Sequence, residues 1–211
     1  MKKQTWLIAI CITVVIFILV VFIINTSIKH NTPVTPALIN LKNISSEALE
    51  FCEENNFNTD FYILINMNIH SGKERLFVYN FNNDSIVSSG LCSHGCGTAS
   101  WSSDETKESP VFSNVVNSHC TSEGKYKIGD RGYSNWGINV NYKLHGLENT
   151  NDKAFERLIV FHSWDEMPNY EVFPNGAPEG QGCPAVSNEL MLEIDDLLQS
   201  SSKPVLLWIY N

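Results

Sequence analysis

One apolar segment near the N-terminus constrains this chain more than any other feature. Residues 6–24 are almost unbroken apolar sequence, about the length that an α-helix needs to cross the core of a bilayer. Lys2 and Lys3 precede this segment, so the positive-inside rule favours a cytoplasmic N-terminus and an exported remainder. We therefore predict that residues 1–25 form a cytoplasmic N-terminus and a transmembrane anchor.

A cleaved signal peptide is the alternative interpretation of the same segment. The apolar region of a signal peptide is normally shorter and ends at a small-x-small cleavage site. Here the apolar run ends at Asn25-Thr26-Ser27 without such a pattern. The sequence favours an uncleaved anchor in the inner membrane, which predicts that the rest of the chain lies in the periplasmic part of the cell envelope.

The part of the chain beyond the anchor has room for one domain. Residues 26–44 are rich in Pro, Thr and Asn and predict a linker. Residues 45–211 have the length of one ordinary domain, and Ser45 or Ser46 can cap a short helix that runs to about Asn55. No internal repeat is evident in this region, so we predict a single domain. We also expect the chain to be a monomer.

The remaining apolar patterns favour strands. Apolar or alternating runs bounded by turn residues predict strands at 61–67, 76–81, 85–91, 139–144, 158–161 and 205–210. The Ser-, Gly-, Asn- and Asp-rich stretch 93–137 predicts loops or short strands. One long helix is predicted after the N-cap Ser187, because apolar residues then recur at helical spacing. The predicted fold class is therefore mainly β with a few helices (α+β).

The charge of the exported part argues against nucleic acid as a partner. All 23 acidic residues lie beyond the apolar segment, together with all of the 14 basic residues except Lys2 and Lys3. A surface that binds phosphates needs clustered Lys and Arg, which an acidic domain of this kind does not supply. A soluble acidic surface is the simpler interpretation.

The strongest local signal for chemistry is a turn that contains a cysteine. Gly182 precedes Cys183 and lets the backbone bend and approach a substrate closely. A thiol is a good nucleophile only as thiolate, so it needs a nearby base. His162 ends the apolar run 158–161 and is the natural base. From spacing alone, a buried structural cysteine and a core histidine explain these residues equally well.

The other cysteines leave two interpretations open. Beyond the anchor there are four besides Cys183, namely Cys52, Cys92, Cys96 and Cys120, and four plus one is compatible with disulfides and a reactive thiol. A metal site is the alternative, in which Cys92, His94, Cys96, His119 and Cys120 supply soft ligands. Their spacing is not that of a standard zinc knuckle, so we predict no metal and no other cofactor.

Several segments together resemble the YkuD-like L,D-transpeptidase family, in particular its murein L,D-transpeptidase catalytic domains. The resemblance covers the chain from about Ser46 to its end and follows the family order. The matching segments are Ser93-His94-Gly95, Phe112-Ser113-Asn114, Glu123-Gly124-Lys125-Tyr126, Leu144-His145-Gly146-Leu147-Glu148 with Asn151, Ala154 and Arg157, Ile159-Val160-Phe161-His162, and Gly182-Cys183-Pro184-Ala185-Val186-Ser187.

The resemblance implies a β-sandwich domain that performs acyl transfer on peptidoglycan stem peptides. Cys183 would form a thioester, His162 would move the proton, and Gly182 would help to bind the oxyanion. The acceptor would be an amine, giving a 3→3 crosslink, or water, giving carboxypeptidase activity. The resemblance places His94 near the site, and Ser163 and Gln181 are further candidates to line it.

The sequence departs from the broader family in two ways. It lacks a histidine immediately before the cysteine turn, and no arginine follows Cys183. The missing arginine leaves the recognition of a substrate carboxylate unexplained. A non-catalytic domain of the same fold that binds peptidoglycan is therefore an alternative to the enzyme.

Overall fold

The computed structural model describes residues 36–211. No helix within this range is long and apolar enough to cross a membrane. The predicted anchor and most of the predicted linker lie outside the described residues, so the anchor and the exported location stay predictions. Residues Ile44–Asn211 form one compact unit, and the other unit ends at Asn43.

The first described helix, α1, starts earlier than the sequence predicts. It spans Pro36–Glu54, whereas capping by Ser45 or Ser46 was expected to start it nine residues later. Proline is favourable at the first position of a helix, because the N–H that it lacks has no partner there. The last residues assigned to the linker, 36–44, are therefore helical.

Eight strands follow, with one helix before the last of them. The strands are β1 (Phe61–Asn66), β2 (Leu76–Asn80), β3 (Ser85–Gly90), β4 (Gly124–Tyr133), β5 (Val140–Gly146), β6 (Val160–Ser163), β7 (Ala185–Val186) and β8 (Leu206–Tyr210). The helix α2 spans Asn188–Ser200, and the Oγ of its N-cap Ser187 accepts a hydrogen bond from the N–H of Leu190. This helix and its cap agree with the sequence prediction.

All eight strands belong to one hydrogen-bonded sheet, in the order β3-β2-β1-β8-β4-β5-β6-β7. The β1–β8 and β6–β7 pairs are parallel and the others are antiparallel. The mainly β prediction is confirmed, with two helices among the described residues. The sheet is continuous rather than divided into the two sheets of a sandwich, because the ten-residue β4 pairs with β8 near its start and with β5 along its length.

The main core lies between one face of this sheet and α2. Side chains alternate between faces along a strand, so Ile63 and Ile65 of β1 join the cluster that α2 covers. The helix contributes Leu190, Met191, Ile194 and Leu198 to it. Tyr62, on the other face, is also buried, and its hydroxyl pairs with the Oγ of Ser45 in α1 at 3.0 Å. The part of α1 around Ser45 therefore lies against the second face at Tyr62, and β1 is buried on both faces.

Candidate active site

The parallel pair β6–β7 brings the predicted nucleophile and base to one edge of the sheet. His162 of β6 pairs in register with Ala185 of β7, two residues after Cys183. Val160, also on β6, donates its backbone N–H to the Sγ of Cys183 at 3.4 Å. Residues separated by 21 positions in the chain thus become neighbours because a short parallel strand returns beside the histidine strand.

Gly182 occupies a position that only glycine fits. Its φ is +106°, a region that side chains rarely adopt. A Cβ there would lie 2.6 Å from the carbonyl oxygen of Cys120. The close approach of these two backbone segments explains why glycine precedes the cysteine, and it fixes the direction of the Gly182–Cys183 peptide.

Ser93 holds the backbone on both sides of Pro184, directly after the cysteine, a role that the sequence analysis missed. Its buried Oγ donates to the carbonyl of Cys183 at 3.2 Å and accepts from the N–H of Ala185 at 2.9 Å. The N–H of Ser93 also donates to the carbonyl of Ala185 at 2.8 Å. The cysteine turn is therefore fixed by the segment that follows β3 as well as by β6.

The ring of His162 is oriented by a backbone carbonyl. Its Nδ1 lies 2.8 Å from the carbonyl oxygen of Ser163, and a carbonyl can only accept, so Nδ1 carries the proton. Nε2 is then the basic nitrogen. Ser163 does not act through its hydroxyl, because that side chain is buried and accepts from the N–H of Ile138 at 3.0 Å.

Burial keeps both groups of the pair uncharged at rest. Burial raises the pKa of the Cys183 thiol above its ordinary value, although the Val160 N–H and the Arg157 cation act in the opposite direction. Burial lowers the pKa of His162, against a smaller opposing effect of its bond to Ser163. At neutral pH the cavity therefore holds a neutral imidazole and a neutral thiol, and a neutral imidazole is the form that can accept a proton.

Arg157 supplies a cation near the thiol, although no arginine follows Cys183 in the sequence. Its guanidinium donates to the carbonyl oxygens of Ser113 at 2.8 Å and Cys120 at 2.6 Å, and to the hydroxyls of Ser118 and Ser122. The same Cys120 carbonyl packs against Gly182. Arg157 therefore supports the turn through the Cys120 carbonyl, and these contacts engage both of its terminal NH2 groups.

A cavity of about 390 Å³ contains the predicted pair. Cys183 and His162 both line it, as does the predicted Gln181. Its other lining residues are Ser93, Trp101, Trp136, Trp164, Gly180 and Ala185. His94 and Ser163 were also expected to line the site, but neither is among the residues that line this cavity.

His94 belongs instead to a buried polar cluster behind the site. Its side chain is fully buried, with Nδ1 2.8 Å from a guanidinium nitrogen of Arg75 and Nε2 2.7 Å from the hydroxyl of Thr106. Glu179, also buried, accepts from the backbone N–H of Thr106 at 2.6 Å. Glu179 begins the segment that leads to the cysteine turn. His94 therefore helps to position that segment but does not line the cavity.

Acidification is expected to destabilise the fold through His94. Burial, and secondarily the Arg75 cation, lowers the pKa of His94 from 6.5 to about 3. The unfolded chain binds this proton below about pH 6.5 and the folded chain only near pH 3, so the contribution is complete above pH 6.5 and is lost as the pH falls. The free energy of unfolding should decrease by about 1.4 kcal/mol per pH unit within this window.

Urea unfolding at a series of pH values between 7 and 4 measures this slope. In His94→Gln the slope should be smaller by the contribution of one proton, because glutamine does not titrate. Equal slopes in the two proteins would mean that another group causes the acid sensitivity.

The remaining cysteines do not assemble a metal site. All five described cysteines are free thiols. Within residues 36–211 no group of three or more His, Cys, Asp or Glu side chains is arranged to hold a metal ion. The alternative that used Cys92, His94, Cys96, His119 and Cys120 is therefore unsupported, and both ring nitrogens of His94 already have partners.

Comparison with known proteins gives one family match. Residues 37–210 match the L,D-transpeptidase catalytic domain family YkuD_2. No curated protein matches the chain.

Several solved structures are similar to the chain at low identity. Bd1075 of Bdellovibrio bacteriovorus is 16% identical, with a TM-score of 0.44, over 74% of this chain and 49% of that one. The helical cell shape determining protein Pgp2 of Campylobacter jejuni is 14% identical, with a TM-score of 0.45, over 71% and 46%. A mutant of the Enterococcus faecium L,D-transpeptidase is 12% identical, with a TM-score of 0.42, over 72% and 50%. The chain spans about half the length of these proteins.

Proposed function

This chain belongs to the L,D-transpeptidase catalytic domain family, and on that premise we propose that it transfers acyl groups of peptidoglycan stem peptides through a thioester at Cys183. One observation carries the proposal. The carbonyl of Ser163 holds the proton of His162 on Nδ1, and the histidine lines the same cavity as the thiol. A basic nitrogen on a residue that shares the cavity of the thiol supports the roles of general base and nucleophile.

The first half-reaction forms the thioester. His162 takes the proton of the Cys183 thiol through Nε2 as the sulfur attacks the carbonyl carbon of the third residue of a donor stem peptide. The C–N bond to the terminal D-amino acid then breaks. The proton held by His162 passes to the leaving nitrogen, so the amino acid departs with a neutral amine and the thioester remains.

The charge that develops on the carbonyl oxygen needs hydrogen-bond donors. The N–H groups of Gly182 and Cys183 are the proposed donors, and the fixed turn supports this role. Gly182 has a φ of +106°, and its carbonyl, in the peptide that carries the Cys183 N–H, accepts from the Thr121 hydroxyl at 3.5 Å. The Ser93 hydroxyl holds the peptides that follow Cys183. Donors that are already oriented need no rearrangement as the oxyanion forms.

The second half-reaction releases the acyl group. An amine of a second stem peptide attacks the thioester carbonyl, the C–S bond breaks, and the amine proton reaches sulfur through His162. The product is a 3→3 crosslink and the thiol is restored. Water in place of the amine gives a shortened stem peptide and an L,D-carboxypeptidase. Neither half-reaction requires a metal or an organic cofactor.

Incubation of the purified chain with disaccharide-tetrapeptide muropeptides tests the proposal. Mass spectrometry should detect release of the terminal D-amino acid, together with either a dimer that has lost one such residue or a disaccharide-tripeptide. Binding of the muropeptide without any of these products would favour the non-catalytic alternative. The ratio of dimer to tripeptide distinguishes transpeptidase from carboxypeptidase activity.

A further inference from the structure

Three tryptophans form one continuous aromatic wall of the cavity that contains Cys183. The ring centroids of Trp101 and Trp164 are 5.3 Å apart, and the two ring planes are inclined by 29°. Trp136 lies 6.2 Å from Trp101 and 6.3 Å from Trp164, tilted to both. We call these three residues the tryptophan wall. Packing of the three rings against one another restricts their side-chain rotation and gives a continuous aromatic surface.

The outer part of the tryptophan wall is open to solvent. Trp164 is only 4% exposed, and it forms the base against which the other two rings pack. Trp101 and Trp136 are 48% and 47% exposed. Fold stability alone does not require two half-exposed indoles beside a cavity, since large apolar side chains are ordinarily covered. Their position at the reacting thiol points to a ligand.

The polar groups that follow these rings define the chemistry of that ligand. A second cavity of about 360 Å³ is lined by Ser102 and Glu166, which follow Trp101 and Trp164 closely in sequence. The Ser102 hydroxyl donates to the Glu166 carboxylate at 2.6 Å. Asp165 precedes Glu166 and is exposed. Among the described residues that line the two cavities, none is a lysine or an arginine.

The charge of this surface disfavours an anionic group at the wall. The other carboxylate of the second cavity, Asp104, is paired with Lys107 at 2.8 Å, so the negative charge of the lining comes mainly from Glu166. The carboxylate at the end of a peptide would be repelled there. A neutral ligand with an apolar face and hydroxyl groups at its edge fits, because indoles cover the face and carboxylates accept from the hydroxyls.

We propose that the tryptophan wall binds an N-acetylated hexose ring of the glycan strand, so that the attached stem peptide enters the cavity toward Cys183. This inference rests on the proposed function for the identity of the attached peptide. Binding of the sugar itself does not depend on catalysis. Trp101 and Trp136 then favour substrates that carry the glycan over free peptides. They take no part in the chemical steps.

Titration of the full-length chain in detergent micelles with N-acetylchitotetraose tests the proposal. We expect tryptophan fluorescence to change on binding and saturation-transfer NMR signals from the sugar C–H protons. Trp101→Ala and Trp136→Ala should each weaken binding about tenfold, because each removes one aromatic face. Tyr170→Ala is the matched control, since Tyr170 is an exposed aromatic residue outside the cavity lining.

A second comparison separates this proposal from the proposed function. In Trp101→Ala, the ratio of kcat/KM for a disaccharide-tetrapeptide to kcat/KM for the free tetrapeptide should fall about tenfold. Equal losses with both substrates would overturn the proposal, as would absence of chitotetraose binding by the wild-type chain. Binding by the free tetrapeptide or by lysine amide at the tryptophan wall, in place of the sugar, would also overturn it. Tryptophan-dependent sugar binding without turnover would contradict only the enzyme assignment.

Discussion

Replacement of Cys183 with alanine is expected to abolish both covalent labelling and turnover. A carbapenem carries a strained amide that an activated thiol opens, so the wild-type chain should gain the mass of one adduct. The variant has no sulfur to attack, and turnover of stem peptides should fall on the order of 10³-fold or more. Intact-protein mass spectrometry measures the adduct, and muropeptide analysis measures the turnover.

Cys52→Ala is the matched control for this experiment. Cys52 lies fully buried in α1, and burial raises the pKa of its thiol to about 12, so it is inert at neutral pH. This variant should acquire the adduct at the wild-type rate. An adduct that persists in Cys183→Ala would show that another thiol reacts and would remove the nucleophile assignment. Thermal unfolding of both variants checks that the loss of labelling and turnover in Cys183→Ala does not reflect misfolding.

Six of the eight strands and the second helix were predictable because their signals are local. The apolar runs that form β1 and β8 are continuous, and α2 has both a cap and an apolar stripe. The strand β4 was not predicted, since glycines and charged residues interrupt it. Only its first half alternates, with Tyr126 and Ile128 buried, and its partners β8 and β5 come much later in the chain. Pairing over such distances leaves no local signal.

The site was predictable only in part, for a related reason. The turn at Gly182 and the apolar strand before His162 marked the pair, but their proximity depends on β6 pairing with β7. Ser93 and His94 are adjacent, and in extended backbone neighbouring side chains point to opposite sides. The histidine has the more conspicuous chemistry, yet the serine lines the cavity. Sequence order alone does not reveal which of two neighbours faces the ligand.

Arg157 illustrates a signal that was visible but could not be interpreted. It stands within a segment that resembles the family, but the arginine of the family pattern follows the cysteine, so the sequence does not mark Arg157 as a cation of the site. The structure brings this arginine to the turn through the carbonyl of Cys120, a residue 37 positions earlier. Contacts that join three distant segments require the fold to be known first.

Replacement of His162 with glutamine is expected to produce the second large effect. Glutamine can retain a hydrogen bond to the carbonyl of Ser163 but cannot accept a proton from the thiol. Loss of a general base ordinarily lowers the rate by about 10²–10⁴-fold. The rate of acylation by a carbapenem at pH 7, followed by intact-protein mass spectrometry, should fall within that range. His145→Gln is the matched control, because His145 does not line the cavity.

The dependence on pH separates a general base from a residue that only shapes the cavity. Burial lowers the pKa of His162 below its ordinary value of 6.5. The imidazole is thus neutral and active at neutral pH, and the wild-type rate should be lost only as the pH falls below 6.5 and His162 becomes protonated. In His162→Gln the rate should instead follow ionisation of Cys183, whose pKa is raised. The rate of the variant should continue to rise above pH 9. The difference in acylation rate between the variant and the wild-type chain should therefore become smaller at alkaline pH.

A rate for His162→Gln that stays reduced by a constant factor from pH 6 to pH 10 would contradict this role. Such a result would mean that the histidine positions the substrate or the turn, since a missing base matters less once the thiol ionises without help. Acylation at the wild-type rate at pH 7 would remove His162 from the mechanism altogether. The neutral resting pair makes the test decisive, because a thiol with a raised pKa depends on its base throughout the physiological range.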